Sequence, residues 1–232
     1  MLKAILFDLD GTLVNTDSLH YQTWQDVLRD YGLEIEQAFY KAKISGRLNP
    51  IIVQDLLPHL SFEEGQQLAD YKEARFREIA LSLTPLAGLL DLLAWIDTHG
   101  LKKAVVTNAP RKNVEFMLEV LKLANRFDTV VLAEDATAGK PDPACYKLIL
   151  NQFDIGTTEA KSLKGDFAIA FEDSPSGIQS AVGAGIYTIG VASTYDPNIL
   201  SSAGAAMVIP DFRDKKLWQR LEEWVGIGSK GR

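Results

Sequence analysis

Six short apolar runs that alternate with helical patterns constrain the fold of this 232-residue chain more than any other feature. Each run is too short for a helix and is rich in Val, Ile, Leu or Phe, which is typical of strands buried on both faces. Strands that alternate with helices favour a doubly wound parallel sheet, so we expect an α/β, Rossmann-like fold. The predicted strands span residues 4–7, 104–106, 130–132, 168–171, 187–191 and 207–209.

Helical patterns fill the segments between the later runs. Apolar residues at helical spacing predict helices over 86–99, before Gly100, and over 111–123. Asp142-Pro143 and Asp196-Pro197 each predict an N-cap followed by a proline at the first helical position.

The interval between the first and second predicted strands contains only helical patterns. An amphipathic pattern runs from Leu19 to Tyr31, Asn49-Pro50 opens a second helix, and Ser61 with Glu64 matches a capping box ahead of a third. An insertion of this size is too long for a simple crossover between strands. We therefore expect a catalytic core formed by residues 1–14 and 85–232, with an inserted α-helical cap domain at 15–84.

Charge and apolar content restrict the classes of partner and compartment. The net charge of -7 argues against nucleic acid or an anionic membrane, but allows a small anionic substrate beside a metal and local cations. A single cysteine, Cys145, permits no internal disulfide, and no run approaches the roughly 20 apolar residues of a membrane span. The apolar start is interrupted at Asp8, too early for a signal peptide. We expect a cytoplasmic protein, or a stromal one in a source with plastids, with a frayed tail at 228–232.

The first chemical motif is Asp8-Leu9-Asp10-Gly11-Thr12, at the end of the first predicted strand. Two carboxylates this close repel each other when buried, and a divalent cation with a preference for oxygen ligands, such as Mg²⁺, relieves the repulsion. One carboxylate can then act as a nucleophile and the other as a general acid and base. The alternatives are a polar strand end or part of a Ca²⁺ loop, although Leu19 stands where an EF-hand needs Glu.

Three further motifs follow later strands, whose carboxyl ends meet at one edge of a parallel sheet. The Thr107 hydroxyl and the next backbone N–H, that of Asn108, can bind phosphate oxygens, and Lys140 can balance their charge. Asp173 can bind a metal and Glu172 its waters. Taken one at a time, these motifs are better explained as a turn, a solvated lysine and acidic residues at a helix N-terminus. Their order and shared position make the set specific.

Together these four motifs resemble the haloacid dehalogenase-like superfamily, in its phosphatase branch, over nearly the whole chain. Within it the chain looks most like the subgroup of β-phosphoglucomutases and sugar-phosphate phosphatases. The resemblance implies a Rossmann-like core with an inserted helical cap. It also implies that Asp8 becomes phosphorylated, while Asp10 protonates the leaving alkoxide and then activates water. Mg²⁺ would be held by Asp8, the Asp10 carbonyl and Asp173, with Glu172 on its waters, and the phosphoryl oxygens by Thr107, Asn108 and Lys140.

The resemblance extends to three cap residues. Thr16 and His20 match linker residues near the acid/base, and Lys72 matches a cap lysine that faces the active site. From the sequence alone, His20 could equally be a surface or helix-packing histidine. Lys72 could equally lie on a solvated helix face.

A cap loop departs from the mutase pattern. Mutases carry Lys-Gly-x-x-Arg there to grip a second phosphate, whereas this chain has Ser45-Gly46-Arg47-Leu48-Asn49. The loss of both cations favours a phosphatase over a mutase, because a mutase must bind a bisphosphate. We expect Gly46, Arg47 and Asn49 to line the substrate-facing loop, with an N-cap for the next helix as the alternative role of Asn49.

These observations predict a Mg²⁺-dependent phosphomonoester hydrolase that acts on small sugar or polyol phosphates through an aspartyl phosphate. The nearest alternative is a β-phosphoglucomutase-like phosphosugar mutase. A non-enzymatic phospho-acceptor of the receiver type is a third, but receivers lack an inserted cap. By analogy with capped relatives we expect a monomer. The sequence does not name the substrate, because specificity depends on the cap and its loops.

Overall fold

Six parallel strands form one sheet in the computed structural model, which describes residues 1–156 and 165–226. The predicted tail at 228–232 lies outside the described residues. All six predicted strands are present, as β1 (Leu2–Phe7), β2 (Lys102–Thr107), β3 (Thr129–Leu132), β4 (Phe167–Glu172), β5 (Tyr187–Val191) and β6 (Met207–Ile209). Their order across the sheet is β3-β2-β1-β4-β5-β6, as in a doubly wound Rossmann-like fold.

Helices cover both faces of this sheet, which explains why its strands are apolar at successive positions. The helices are α5 (Leu89–Thr98), α6 (Arg111–Val120), α7 (Ala144–Gln152), α8 (Pro175–Gly183), α9 (Pro197–Ser202) and α10 (Lys215–Gly226). In β1, Ile5 and Phe7 pack into one cluster with α5, α6 and α10, while Ala4 and Leu6 pack into a second cluster with α7 and α8.

The order of the strands reverses at β1, which pairs with both β2 and β4. Phe7 lies opposite Val105 on one side and Phe171 on the other. The next residue, Asp8, donates its backbone N–H to the Phe171 carbonyl at 3.0 Å. In open α/β sheets, ligands bind at such a switch point, beyond the carboxyl ends of the strands. The acidic motifs of β1 and β4 therefore lie side by side at this edge.

Four helices occupy the interval between β1 and α5 and pack around a hydrophobic cluster of their own. Trp24, Leu28, Tyr40 and Ile52 are among its buried members. A 3-10 helix at Ala133–Asp135 completes the helical elements of the described residues. The four helices are α1 (Asp17–Arg29), α2 (Gln37–Lys43), α3 (Asn49–Leu56) and α4 (Phe62–Ile79), and α4 begins with the predicted capping box of Ser61 and Glu64.

Local details correct some helix boundaries. The helices predicted at 86–99 and 111–123 are present as α5 and α6 with shorter bounds. Asp196 caps α9, but α7 begins one residue later than predicted, with Pro143 as its N-cap. Asn49 is the first residue of α3 and not its N-cap, so that alternative role is wrong. Within the described part of the chain, no helix combines the length and the apolarity that a membrane crossing requires.

Candidate active site

Lys140 joins the motifs at the carboxyl edge of the sheet. Its Nζ donates to Asp8 Oδ1 at 2.6 Å, to Glu172 Oε1 at 2.6 Å and to the Val106 carbonyl at 2.7 Å. Burial opposes a charge on this lysine, but Asp8 and Glu172 hold the pKa of Lys140 above its ordinary value. Lys140 is therefore a buried ammonium with fixed geometry, and the alternative of a solvated surface lysine is wrong.

Three buried carboxylates surround this single ammonium. Asp8, Glu172 and Asp173 each offer an oxygen atom within 4.8 Å of the others. Burial, followed by repulsion from neighbouring acids, raises the pKa of Asp173 to about 7, and burial likewise raises the pKa values of Asp8 and Glu172. Three carboxylates facing one cation are undercompensated, so the cluster fits a divalent metal bound by oxygen ligands.

The carboxylate of Glu172 is oriented by a residue that the sequence analysis did not identify. Tyr146, buried on α7, donates its hydroxyl to Glu172 Oε1 at 2.5 Å, beside the bond from Lys140. Glu172 Oε2 is buried and has no hydrogen-bond donor among the described residues. A buried oxygen without a donor is unusual, and it supports the fit of this cluster to a metal and its water.

Two glycines leave the space that these carboxylates occupy. A Cβ at Gly11 would overlap the Asp173 carboxylate, and Gly11 has a φ of +80°, which L side chains rarely adopt. A Cβ at Gly177, in the first turn of α8, would overlap the Glu172 carboxylate. Both positions therefore require glycine if the acids are to keep their places.

The motif after β2 holds Lys140 in position. Asn108 Oδ1 accepts from the Lys140 backbone N–H at 2.9 Å, and Asn108 Nδ2 donates to the Lys140 carbonyl at 3.1 Å. The buried Thr107 hydroxyl accepts from the Ala109 N–H at 3.1 Å. The Asn108 side chain is thus engaged with the lysine backbone, while Thr107 lies in the wall of the cavity.

Asp10 is held by two residues from the segment that follows it. Thr16 Oγ1 donates to Asp10 Oδ1 at 2.5 Å, and His20 Nε2 lies 3.1 Å from the same oxygen. Burial acts to raise the pKa of Asp10, but the hydrogen bond and charge of His20, with the bond from Thr16, hold it below its usual value. Asp10 is therefore a carboxylate in the resting protein.

Lys72 supports His20 from helix α4. Lys72 Nζ lies 2.7 Å from His20 Nδ1, and the imidazole stacks on Phe76 with ring centroids 4.1 Å apart. Lys72 is only 1% exposed and lies 5.5 Å from the ring centroid of Trp24, so the alternative of a solvated lysine is wrong. These contacts place the His20 imidazole between Lys72 on one side and the Asp10 carboxylate on the other.

Glu73 forms the end of this chain of contacts and was also not identified from the sequence. Its Oε1 accepts from Lys72 Nζ at 2.8 Å and from Asn49 Nδ2, and its Oε2 accepts from Asn113 Nδ2. Arg77 in turn donates to the Asn113 side chain. Glu73 therefore connects α3 and α4 to the core helix α6.

The predicted cap loop lines the cavity, but its cation, Arg47, is already paired with a carboxylate. Gly46 accepts from Ser176 Oγ at 3.2 Å through its carbonyl, which connects the loop to α8. Arg47 donates to the Lys43 carbonyl at 2.7 Å and pairs with Asp55. Arg47 thus contributes its side chain to the cavity wall with its charge already balanced.

One cavity of about 470 Å³ brings these parts together, within the size range of small-molecule sites. Every predicted site residue except Glu172 lines it, and Glu172 lies behind the wall in contact with Lys140. The lining residues from the prediction are Asp8, Asp10, Thr16, His20, Gly46, Arg47, Asn49, Lys72, Thr107, Asn108, Lys140 and Asp173.

Comparisons with known proteins agree with this fold and identify its family. The family model described as haloacid dehalogenase-like hydrolase matches residues 5–191. The chain is 30% identical to 2-deoxyglucose-6-phosphate phosphatase 2 of Saccharomyces cerevisiae, over 96% of this chain and 93% of that protein. It is 29% identical to validoxylamine A 7'-phosphate phosphatase of Streptomyces hygroscopicus subsp. limoneus, over 88% and 92% of the two chains.

A solved structure supports the fold alone. β-Phosphoglucomutase from Clostridium difficile has a TM-score of 0.80 at 21% identity, covering 99% of this chain and 100% of that one. The fold and the site define a hydrolase with a Rossmann-like core and an acidic centre bridged by a lysine. The chain belongs to the haloacid dehalogenase-like hydrolase family.

Proposed function

We propose that this hydrolase removes phosphate from small sugar or polyol phosphates through an aspartyl phosphate formed on Asp8. The observation that carries the proposal is the placement of two carboxylates with different surroundings in one cavity. Asp8 contacts the Lys140 ammonium at 2.6 Å, and Asp10 is held by Thr16 and His20. The two relatives that are named as phosphatases of sugar-type phosphates support the same reaction class.

In the first half-reaction, a carboxylate oxygen of Asp8 forms a bond to phosphorus as the bond from phosphorus to the leaving oxygen breaks. Asp10 gives its proton to that oxygen, so the alcohol leaves neutral. In the second half-reaction a water oxygen attacks phosphorus, Asp10 takes the water proton, and the carboxylate of Asp8 is released with inorganic phosphate. Lys140 balances the charge of the transferring group throughout.

The surroundings of Asp10 suit both roles. Its lowered pKa makes it a carboxylate in the resting protein, which is the form that accepts a proton from water. A phosphate dianion bound next to Asp10 raises the pKa of that carboxyl, because like charges disfavour ionisation. Substrate binding therefore favours the protonated form that the first half-reaction needs.

Mg²⁺ is the metal that we propose for the acidic cluster. Asp8 and Asp173 would supply carboxylate oxygens and Asp10 its carbonyl, while Glu172 would accept from metal-bound water. Hard oxygen donors favour Mg²⁺ over softer metals. When bound, the ion would neutralise charge on the phosphoryl oxygens.

The cap loop argues against the mutase alternative. A mutase must hold a bisphosphate, yet Ser45 and Asn49 stand where mutase relatives carry cations. Arg47, the loop's remaining cation, already pairs with Asp55. A receiver-type phospho-acceptor is disfavoured by the family match and by the four helices between β1 and α5.

We further propose that residues 1–14 and 85–232 act as the catalytic core and 15–84 as its cap. The proposed partner is a small phosphorylated metabolite and not nucleic acid or a membrane, in keeping with the net charge of -7. A monomer in the cytoplasm is the corresponding proposal for assembly and location.

A phosphate-release screen over a panel of phosphomonoesters with Mg²⁺ tests the function. The wild-type chain should hydrolyse monophosphates of hexoses, pentoses and polyols in which the phosphate is the only charged group. Asp8→Asn should abolish release, because an amide is a far weaker nucleophile than a carboxylate. Absence of release from every compound, or full activity of Asp8→Asn, would refute the proposal.

A further inference from the structure

The cations that line the cavity are all paired with carboxylates. Lys140 contacts Asp8 and Glu172, as described above, at the end where phosphate would be transferred. Toward the cap, Lys72 pairs with Glu73 at 2.8 Å, and Arg47 pairs with Asp55. In the described residues, no lysine or arginine of the cavity wall keeps an uncompensated charge for a second anion on the substrate.

Glu73 is the residue that neutralises Lys72. Glu73 is 6% exposed, and burial acts to raise the pKa of its carboxylate, but Lys72, His20 and Asn49 hold that pKa below the usual value. Glu73 is therefore ionised at neutral pH. Its negative charge sits in the cap half of the cavity, where the leaving group of a substrate must lie.

A second carboxylate reinforces this sign of charge. Asp70 lies one turn before Glu73 on α4, is exposed at the cavity rim, and has no cationic partner within 4.0 Å among the described residues. Glu134 also lines the cavity, but it pairs with Arg111 at 3.0 Å. Because Lys72 and Glu73 offset each other, the excess negative charge on the cap side of the cavity comes from Asp70, and no free cation among the described residues balances it.

We infer that Glu73 and Asp70 make the site selective for substrates whose only anionic group is the transferred phosphate. This inference rests on the proposed phosphatase function and specifies its substrate class. A neutral polyhydroxyl leaving group can bond to the amides and carboxylates of the cap wall. A second phosphate or a carboxylate would face Glu73 and Asp70 without a free cation, and such like-charge contacts exclude wrong ligands.

Two matched pairs of substrates isolate the charge of the leaving group. Glycerol 3-phosphate and 3-phosphoglycerate differ by a hydroxymethyl in place of a carboxylate, and the open-chain compounds glucitol 6-phosphate and 6-phosphogluconate differ in the same way. Phosphate release gives kcat/KM for each, and the ratio within a pair is the readout. We expect kcat/KM of the wild type to be about tenfold or more higher for the member with the neutral leaving group, which corresponds to about 1.4 kcal/mol.

Three variants connect this ratio to the named residues. Glu73→Gln removes one buried charge at nearly constant volume and should reduce the preference by about tenfold, because Lys72 becomes uncompensated. Asp70→Asn acts at an exposed and screened position, so about threefold is expected. Glu63→Gln makes the same type of change on an exposed face of α4 outside the cavity and should leave the ratio unchanged.

The outcomes separate this inference from the proposed function. Equal hydrolysis of both members of each pair, or ratios that neither Glu73→Gln nor Asp70→Asn changes, overturns the selectivity while the phosphatase assignment stands. Absence of release from all four compounds overturns both. If Glu73→Gln lowers the melting temperature strongly, the exposed Asp70→Asn variant still decides the matter.

Discussion

Tyr146→Phe should weaken the binding of Mg²⁺ while leaving the fold intact. The change removes one hydroxyl from a fully buried ring and keeps the rest of the side chain. Among the residues that the structure describes, that hydroxyl is one of two donors to Glu172 Oε1, at 2.5 Å, and the other donor is Lys140 at 2.6 Å. Without the Tyr146 hydroxyl, only the hydrogen bond from Lys140 orients the Glu172 carboxylate, so the carboxylate can rotate.

The size of the effect follows from these contacts. A hydrogen bond to a charged group contributes about 1.5–3 kcal/mol. Loss of an outer-shell partner of a metal site typically lowers metal affinity by about 10–100-fold, which corresponds to about 1.4–2.8 kcal/mol. The two ranges overlap, so we expect the Kd for Mg²⁺ to rise by about tenfold or more, with kcat at saturating Mg²⁺ changed far less.

Thermal unfolding at a series of Mg²⁺ concentrations measures this without turnover. A ligand at 100 times its Kd stabilises a folded protein by about 2.7 kcal/mol, and a tenfold weaker Kd reduces that to about 1.4 kcal/mol. Tyr187→Phe is the matched control, because Tyr187 lies on β5 outside the cavity, with its ring against Trp224. If Tyr146→Phe and the wild type respond to Mg²⁺ identically, Glu172 does not depend on this hydroxyl and the reasoning fails.

Other substitutions and conditions test the same cluster. Gly177→Ala should displace the Glu172 carboxylate and lower phosphate release by at least about tenfold at low Mg²⁺, with recovery at high Mg²⁺. If this variant were as active as the wild type at all Mg²⁺ concentrations, a Cβ at position 177 would not displace the carboxylate. Burial raises the pKa of Asp173 to about 7 in the folded protein, against 3.8 for the free side chain. Between pH 3.8 and about pH 7, the folded state therefore binds a proton at Asp173 that the unfolded state does not bind, and this proton stabilises the folded state. The melting temperature of the metal-free protein should therefore fall from pH 5 to pH 8, and Mg²⁺ should raise it most at pH 8. A flat or rising melting temperature would count against the raised pKa. Lowered pKa values, such as that of Asp10, act only below about pH 4 and do not mask this trend.

The sequence predicted the strands and the strand-end motifs for a definite physical reason. Strands buried on both faces must be apolar throughout, so polar residues that follow them, such as Asp8 and Asp173, are conspicuous. Parallel pairing then places them at one edge without further information. Lys140 could be placed with them because Gly139 and Pro141 flank it in a recognisable motif.

The residues that were not identified lie on helices. Tyr146 is buried on α7 together with Ile149 and Leu150. The sequence pattern of such a helix predicts that the tyrosine is buried, but it does not predict which group its hydroxyl contacts. Glu73 and Asn113 meet only because α4 packs near α6, 40 positions along the chain. Arg47 was predicted to line the cap loop, but its pairing with Asp55 depends on the turn into α3 and could not be predicted. Such contacts depend on the three-dimensional arrangement and leave no local pattern.

The position of Trp24 gives this protein a built-in optical probe. Trp24 lines the cavity, whereas the other three tryptophans, Trp95, Trp218 and Trp224, belong to the hydrophobic cluster that α5, α6 and α10 form on one face of the sheet. Indole emission responds to charge and water nearby, so filling the cavity should alter the Trp24 signal alone. In Asp8→Asn, that signal would follow the occupancy of the site by an intact phosphate ester.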